Sequence, residues 1–227
     1  MNKSYRIVWS QVRQAYIVAH EKAAWGGRPG ATLAAAAALL LGLISPGLAA
    51  DLPTGGQIVA GSGSIAQSGN TMTVTQSTDR LAANWQSFSI GQGYAVNFVQ
   101  PSTSSIALNR VLGSDVSVIQ GALRANGQVF LINPNGVLFS PTAQVEVGGL
   151  VASTLDLSNE DFLAGRLRLA GGSANAVINQ GQINVSPGGT VALVAARIEN
   201  TGRIDAPQGS VLMGAGQAVT LDLGGSV

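Results

Sequence analysis

Asn179-Gln180-Gly181-Gln182-Ile183 returns as Asn200-Thr201-Gly202-Arg203-Ile204, and Pro187-Gly188-Gly189-Thr190-Val191-Ala192-Leu193 returns as Pro207-Gln208-Gly209-Ser210-Val211-Leu212-Met213. The two returns come after 21 and 20 residues. That period is about what one coil of a parallel β-solenoid takes, because each coil needs two or three short strands and their corners. The expected fold is therefore all-β: a single-stranded, right-handed parallel β-helix with small extra-helical elements. Aliphatic residues such as Ile183, Val191, Leu193, Ile204, Val211 and Met213 are expected to line a narrow interior. Asn179, Gly181, Asn200 and Gly202 fall at the corners, where tight turns at positive φ suit Gly and, less readily, Asn. An antiparallel sandwich also spaces short strands evenly and stays open as an alternative. A leucine-rich horseshoe does not fit the Leu and Asn pattern.

Moving toward the N-terminus, the same alternation recurs in Gly56 to Gly61, Met72 to Thr75, Tyr94 to Val99 and Val116 to Ile119, each bounded by Gly, Ser or Asn. At about 20 residues per coil, residues 51–227 predict roughly nine coils and a rod about 40 Å long. Ser158 to Gly165 alone reads as helical: Ser158 is the N-cap, Asp161 follows three residues on, and Gly165 terminates. One or two helical turns are expected there, outside the main body. The segment Gly61-Ser62-Gly63-Ser64-Ile65-Ala66 matches a dinucleotide fingerprint only formally. Turn formers rather than a helix follow it, so it reads as a loop.

The first fifty residues belong to a different regime. Lys3, Arg6, Arg13, Lys22 and Arg28 face one acid, Glu21; an apolar run from Ala31 to Ile44 follows, then Pro46 and Gly47, then Leu48-Ala49-Ala50. That order is a secretory signal, 1–30 being a basic extension and 31–50 the apolar and cleavage region. Cleavage is expected between Ala50 and Asp51, with Ala49 as the neighbouring choice. The apolar run is too short to span a bilayer core of about 30 Å, and the leader is expected to be helical.

Cleavage removes both lysines and the lone histidine. Residues 51–227 keep seven arginines against ten acids, and the chain has no cysteine. Such a domain is slightly acidic and is not built to grip nucleic-acid phosphates. Without His, Cys or Lys it has no Ser-His-Asp triad, Cys-His pair, Schiff base or histidine zinc site. Carboxylate and arginine chemistry of the polysaccharide-lyase kind stays open on paper. Yet Asp156, Glu160 and Asp161 stand where a capped helix wants acids. Trp85 and Phe88 suit either a sugar platform or packing at the end or side of the solenoid. No enzyme activity and no cofactor are expected.

Gln128 to Phe139 contains Asn133-Pro134-Asn135-Gly136 between two strand patterns. Pro134 presets φ for the second position of a type I turn, Asn135 tolerates the third, and Gly136 takes the left-handed fourth. With this motif the sequence resembles the haemagglutination-activity domain at the N-terminus of two-partner-secretion exoproteins such as filamentous haemagglutinin. Leu52 to Gly56 fits as well, and Gly148 to Ser158 is similar to the adhesin and haem-acquisition branch. Met1 to Trp9 resembles the extended signal peptide region of large Gram-negative exported proteins, departing at Ser10 and at Ala19-His20-Glu21-Lys22. A second family motif, Asn-Pro-Asn-Leu, is absent; Ala174-Asn175-Ala176-Val177 is its nearest approach. The resemblance covers residues 1–30 and about 52–222.

It implies a secretion-directing domain, residues 51–227, of a large surface adhesin exported by type V secretion. The implied partners are an outer-membrane β-barrel transporter with periplasmic recognition domains and, through the leader, the inner-membrane Sec translocon; a host receptor or glycan is a further one. The implied location is the cell surface after periplasmic transit. A self-sufficient carbohydrate- or host-binding module is the alternative. Because the chain stops after a regular repeat without a polar cap, it is expected to be a piece of a longer exoprotein.

Overall fold

The computed structural model describes residues 5–10, 15–20 and 51–222. The chain divides into two units, 1–47 and 48–227.

In the first unit Tyr5–Ser10 and Ala15–His20 pair as an antiparallel hairpin, Tyr5 opposite His20 and Ser10 opposite Ala15. This corrects the expected helical leader over those residues. Tyr5, Ile7, Val8 and Trp9, then Tyr16, Ile17 and Val18, are β-branched or aromatic, types that favour an extended backbone. The apolar run 31–44 and Ala50 lie outside the described residues.

The second unit is the parallel β-solenoid. Its first face has seven strands: Gly63–Ser68, Thr71–Gln76, Ala95–Val99, Ala122–Ala125, Gln144–Val147, Gln182–Val185 and Arg203–Asp205. Its second face also has seven: Gln57–Ala60, Arg80–Trp85, Ile106–Val111, Gln128–Ile132, Gly149–Ser153, Thr190–Ala195 and Ser210–Ala215. A third, narrower face stacks Ser117–Ile119, Val137–Phe139, Ala176–Asn179 and Arg197–Asn200. The chain runs first face, second face, third face, and returns one layer higher.

Register shows why the coil count differs from expectation. Thr71, Ala95, Ala122, Gln144, Gln182 and Arg203 form one column on the first face. Only the last step keeps the 21-residue period; earlier coils carry longer corners, and the step from Gln144 to Gln182 contains the whole excursion 154–175. Among the described residues there are about seven layers rather than nine, and at ~4.8 Å per layer each large face is about 30 Å long. The opening layer is antiparallel: Gly63–Ser68 pairs with Thr71–Gln76, and Gln57–Ala60 with Arg80–Trp85. Gly63 to Ala66 is thus a strand and not a loop, because Gly69, at φ +54, turns the chain straight back. This layer lays Ile58 and Ile65 on the interior and closes that end of the core.

Alternate residues point inward. Val74, Val96, Leu123, Val145 and Ile183 are fully buried along the first face, as are Leu81, Ala107, Val129, Leu150 and Val191 along the second. Leu193 is buried as expected and Ile204 packs against the same cluster, but Val211 and Met213, on the last described layer, are 45% and 49% exposed. No further coil lies over them among the described residues.

The corners work differently from the sequence expectation. Gly181 and Gly202 do not have positive φ. A Cβ at Gly181 would overlap Ser140 O and one at Gly202 would overlap Gly181 O. Close backbone approach between layers, not left-handed geometry, demands glycine there. Beside them Asn179 is fully buried and donates through Nδ2 to Asn200 Oδ1 at 2.8 Å, while its Oδ1 accepts from Gly181 N at 3.2 Å. The stacked amides satisfy groups that the bend leaves without ladder partners.

A second apolar cluster lies outside the coil. The outward residues Ala82, Leu108, Phe130, Val151 and Ala192 form a column up the second face. Leu155, Leu157, Phe162, Leu167 and Leu169 of the excursion cover it. Helix α1 (Asn159–Leu163) is capped by Ser158, whose hydroxyl accepts from Asp161 N. The helix is outside the coil, as expected, yet Phe162 is fully buried against Phe130, with ring centroids 6.4 Å apart.

Candidate functional site: the Asn133 to Gly136 corner

The corner joins Gln128–Ile132 on the second face to Val137–Phe139 on the third. Its turn is the one the sequence predicts: Gly136 N donates to Asn133 O at 3.0 Å, and Gly136 has φ +115. Pro134 is exposed and has no N–H to satisfy, while Asn133 is fully buried.

Burial of Asn133 works because every part of its amide has a partner. Nδ2 donates to Asp115 O and to Ser117 Oγ, both at 2.9 Å, reaching down to the preceding coil. Oδ1 accepts from Asn135 N at 2.9 Å and from Asn135 Nδ2 at 3.2 Å. Asn135 Nδ2 also donates to Gly113 O at 2.8 Å. The next coil grips the corner from above: Asn133 N donates to Ser153 O at 2.9 Å, and Pro134 O accepts from Ser173 Oγ at 2.6 Å and Asn175 Nδ2 at 2.9 Å. One four-residue turn therefore couples three successive coils. Asn175, in the segment Ala174 to Val177 that comes nearest to the missing second motif, lands directly on the first.

Other sequence candidates fall elsewhere. Trp85 and Phe88 are both buried and meet edge to face at 5.4 Å, with Trp85 Nε1 donating to Asn109 Oδ1 at 3.0 Å. They pack the core and present no face to a sugar. Asp156 accepts from Arg110 Nε at 2.7 Å, and Asp161 from Arg166 Nε at 2.7 Å. Hydrogen bonding from Arg166 holds the Asp161 carboxyl below its ordinary value near 3.8. Asp51 opens the solenoid, its carbonyl accepting from Gly91 N at 3.0 Å. Its carboxylate, by hydrogen bonding and by charge, raises the Tyr94 phenol above its ordinary value.

Sequence reasoning missed Arg80 and Arg110. Arg80 donates to Phe162 O at 2.9 Å with its guanidinium 5.5 Å from the Phe162 ring centre. Arg110, its side chain 12% exposed, meets Asp156, Asn159 Oδ1 at 3.0 Å, Asn84 Oδ1 at 3.2 Å and Leu157 O. Two arginines at outward positions of their strands, in the same alternation as Ala82 and Leu108, were the available signal.

The TPS secretion domain family matches residues 49–226, and the extended signal peptide of type V secretion systems matches residues 1–50. A heme/hemopexin-binding protein of Haemophilus influenzae is 39% identical over 189 residues, which is 78% of this chain and 21% of that protein. A second Haemophilus influenzae protein of that name is 49% identical over 86 residues, 38% of this chain and 9% of its own length. The chain thus spans about a fifth or less of these curated relatives. Among solved structures, the HMW1 secretion domain from Haemophilus influenzae is similar, with a TM-score of 0.71 and 35% identity over 74% of this chain and 46% of that one. Three coils locked through one Asn-Pro-Asn-Gly corner, on a parallel solenoid behind an extended export leader, agree with those matches: the chain belongs to the TPS secretion domain family, the N-terminal domain of two-partner-secretion exoproteins exported from Gram-negative cells.

Proposed function

We propose that residues 51–222 direct the export of a larger surface exoprotein through an outer-membrane β-barrel transporter, and that the Asn133 to Gly136 corner serves the folding step that follows exit. The observation that carries this is the full burial of Asn133 between coils. A folded corner of this kind offers a receptor only Pro134 and part of Asn135. The transporter's periplasmic domains would therefore meet the unfolded chain, where extended segments add to a sheet edge through main-chain hydrogen bonds. Outside the cell, each finished coil buries aliphatic side chains that cannot re-enter a narrow pore, which opposes backsliding. Parallel coils make mostly non-local contacts and fold slowly, which suits a chain that must stay unfolded in transit.

The leader would hand the chain to the Sec translocon and be cut between Ala50 and Asp51, leaving residues 51–227 as the secretion domain. The natural passenger would be of the adhesin or heme/hemopexin-binding kind, reaching a host receptor from the cell surface.

The test places Asn133→Ala and Gly136→Ala in Gram-negative cells carrying the cognate transporter, and follows protein in the medium and the periplasm. Expected is normal entry to the periplasm with a drop in folded, protease-resistant protein outside. Undiminished secretion of resistant protein for both variants would remove the corner's role.

A further inference from the structure

The excursion 154–175 is held from two directions, and the two holds are separate in sequence. Its first half, through α1, is tied to coils that precede it: Arg80 reaches Phe162 O, and Arg110 reaches Asp156, Leu157 O and Asn159 Oδ1. Its second half depends on residues that come two second-face strands later in the chain. Arg168–Ala170 pairs antiparallel with Ala218–Thr220, Arg168 opposite Thr220 and Ala170 opposite Ala218. That pairing is extended by Leu221 N donating to Leu167 O and Gly171 N donating to Gln217 O, each at 3.0 Å. Leu221 is 8% exposed and joins Leu167 and Leu169 in the outer cluster, where Val219 also packs. Apart from this strand, the backbone of Arg168–Ala170 has one bridge, Ala170 to Asp156.

We propose that residues 217–221 are a strap that closes a two-latch cover over the second face. With the strap removed, residues 167–171 lift away, while Arg166 stays on α1 through its N–H to Asp161 O. The first half stays held by Arg80 and Arg110, and the coils beneath stay wound, because their inner core uses none of these residues. In a chain that emerges from its N-terminus onward, the cover cannot seal until residue 221 is available. Until then the cover over the apolar column Leu108, Phe130, Val151 and Ala192 stays unfastened at one end.

Hydrogen exchange on the purified full chain separates the two latches. In Leu221→Asp, which buries a carboxylate in the outer cluster, amides of 167–171 are expected to exchange on the order of tenfold faster or more. Amides of 159–163 and of strands 122–153 keep their protection, and trypsin cuts at Arg166 and Arg168. Arg110→Met is expected to give the opposite pattern, loosening 157–163 and sparing the strap-facing amides of Leu169 and Gly171. Thr220→Lys, at an exposed position of the strap, changes neither. Unchanged protection of 167–171 in Leu221→Asp overturns the proposal, and so does an equal loss of protection in strands 122–153, which would make strap and coils one unit.

Discussion

Replacing Asn133 with alanine tests whether the corner is a structural key. The side chain removed makes two donor bonds at 2.9 Å to the preceding coil and accepts one at 2.9 Å from Asn135 N, all from a fully buried position. A net hydrogen bond contributes roughly 0.5–1.5 kcal/mol, and a buried group left without its partner costs about 1–3 kcal/mol. The substitution would leave the Asp115 carbonyl, the Ser117 hydroxyl and the Asn135 N–H without the amide, so about 2–4 kcal/mol is expected. Domain stabilities are about 5–15 kcal/mol, so this is a large fraction of the whole. Urea unfolding of the purified chain measures it. With a slope on the order of 2 kcal/mol/M, the midpoint should fall by about 1–2 M while the slope is unchanged. Pro134→Ala is the internal comparison: it is exposed and loses only preset backbone, about 0.5–1 kcal/mol. If Asn133→Ala lowers stability by less than about 1 kcal/mol, or no more than Pro134→Ala, the coupling of three coils through this side chain is refuted.

Gly181→Ala should cost about 1–3 kcal/mol in the same assay, because the new methyl meets Ser140 O in the layer below at a φ that alanine otherwise tolerates. Trp85→Ala should cost about 3–5 kcal/mol by opening a cavity beside Phe88, with Asn109 Oδ1 losing its donor as well. The Asp161 carboxyl titrates below its unfolded value because Arg166 favours its charged form. Its support of the α1 cap is present above the unfolded pKa and lost as pH falls through the folded one, so an NMR titration should place its midpoint below 3.8, and Arg166→Gln should raise it. Asp51→Asn should lower the Tyr94 titration midpoint, read by ultraviolet absorbance, since it removes the carboxylate that opposes phenolate formation.

The amino-acid sequence by itself determined the parallel coil, its inward-facing aliphatic residues, the Asn133 to Gly136 turn and the Ser158 cap. All four are local or periodic: alternation follows from the pleat, turn type from Pro and Gly, and capping from a hydroxyl three residues before an N–H. Tertiary structure alone decided the rest. The layer count turned on how long each corner runs, and nothing in a corner's composition fixes the column Gln144 to Gln182. Gly181 and Gly202 are glycine because of a carbonyl in the layer below, a neighbour 20 or more residues away in sequence. Asn133 became a buried link, rather than one more turn residue, only when Asp115, Ser117, Ser173 and Asn175 came to its corner. The outer cover needed strands from several coils to build its apolar column, with Arg80 and Arg110 reaching over from coils wound before it. Contacts between layers belong to the stack and not to any one repeat, which is why the repeats forecast the coil but not what locks it.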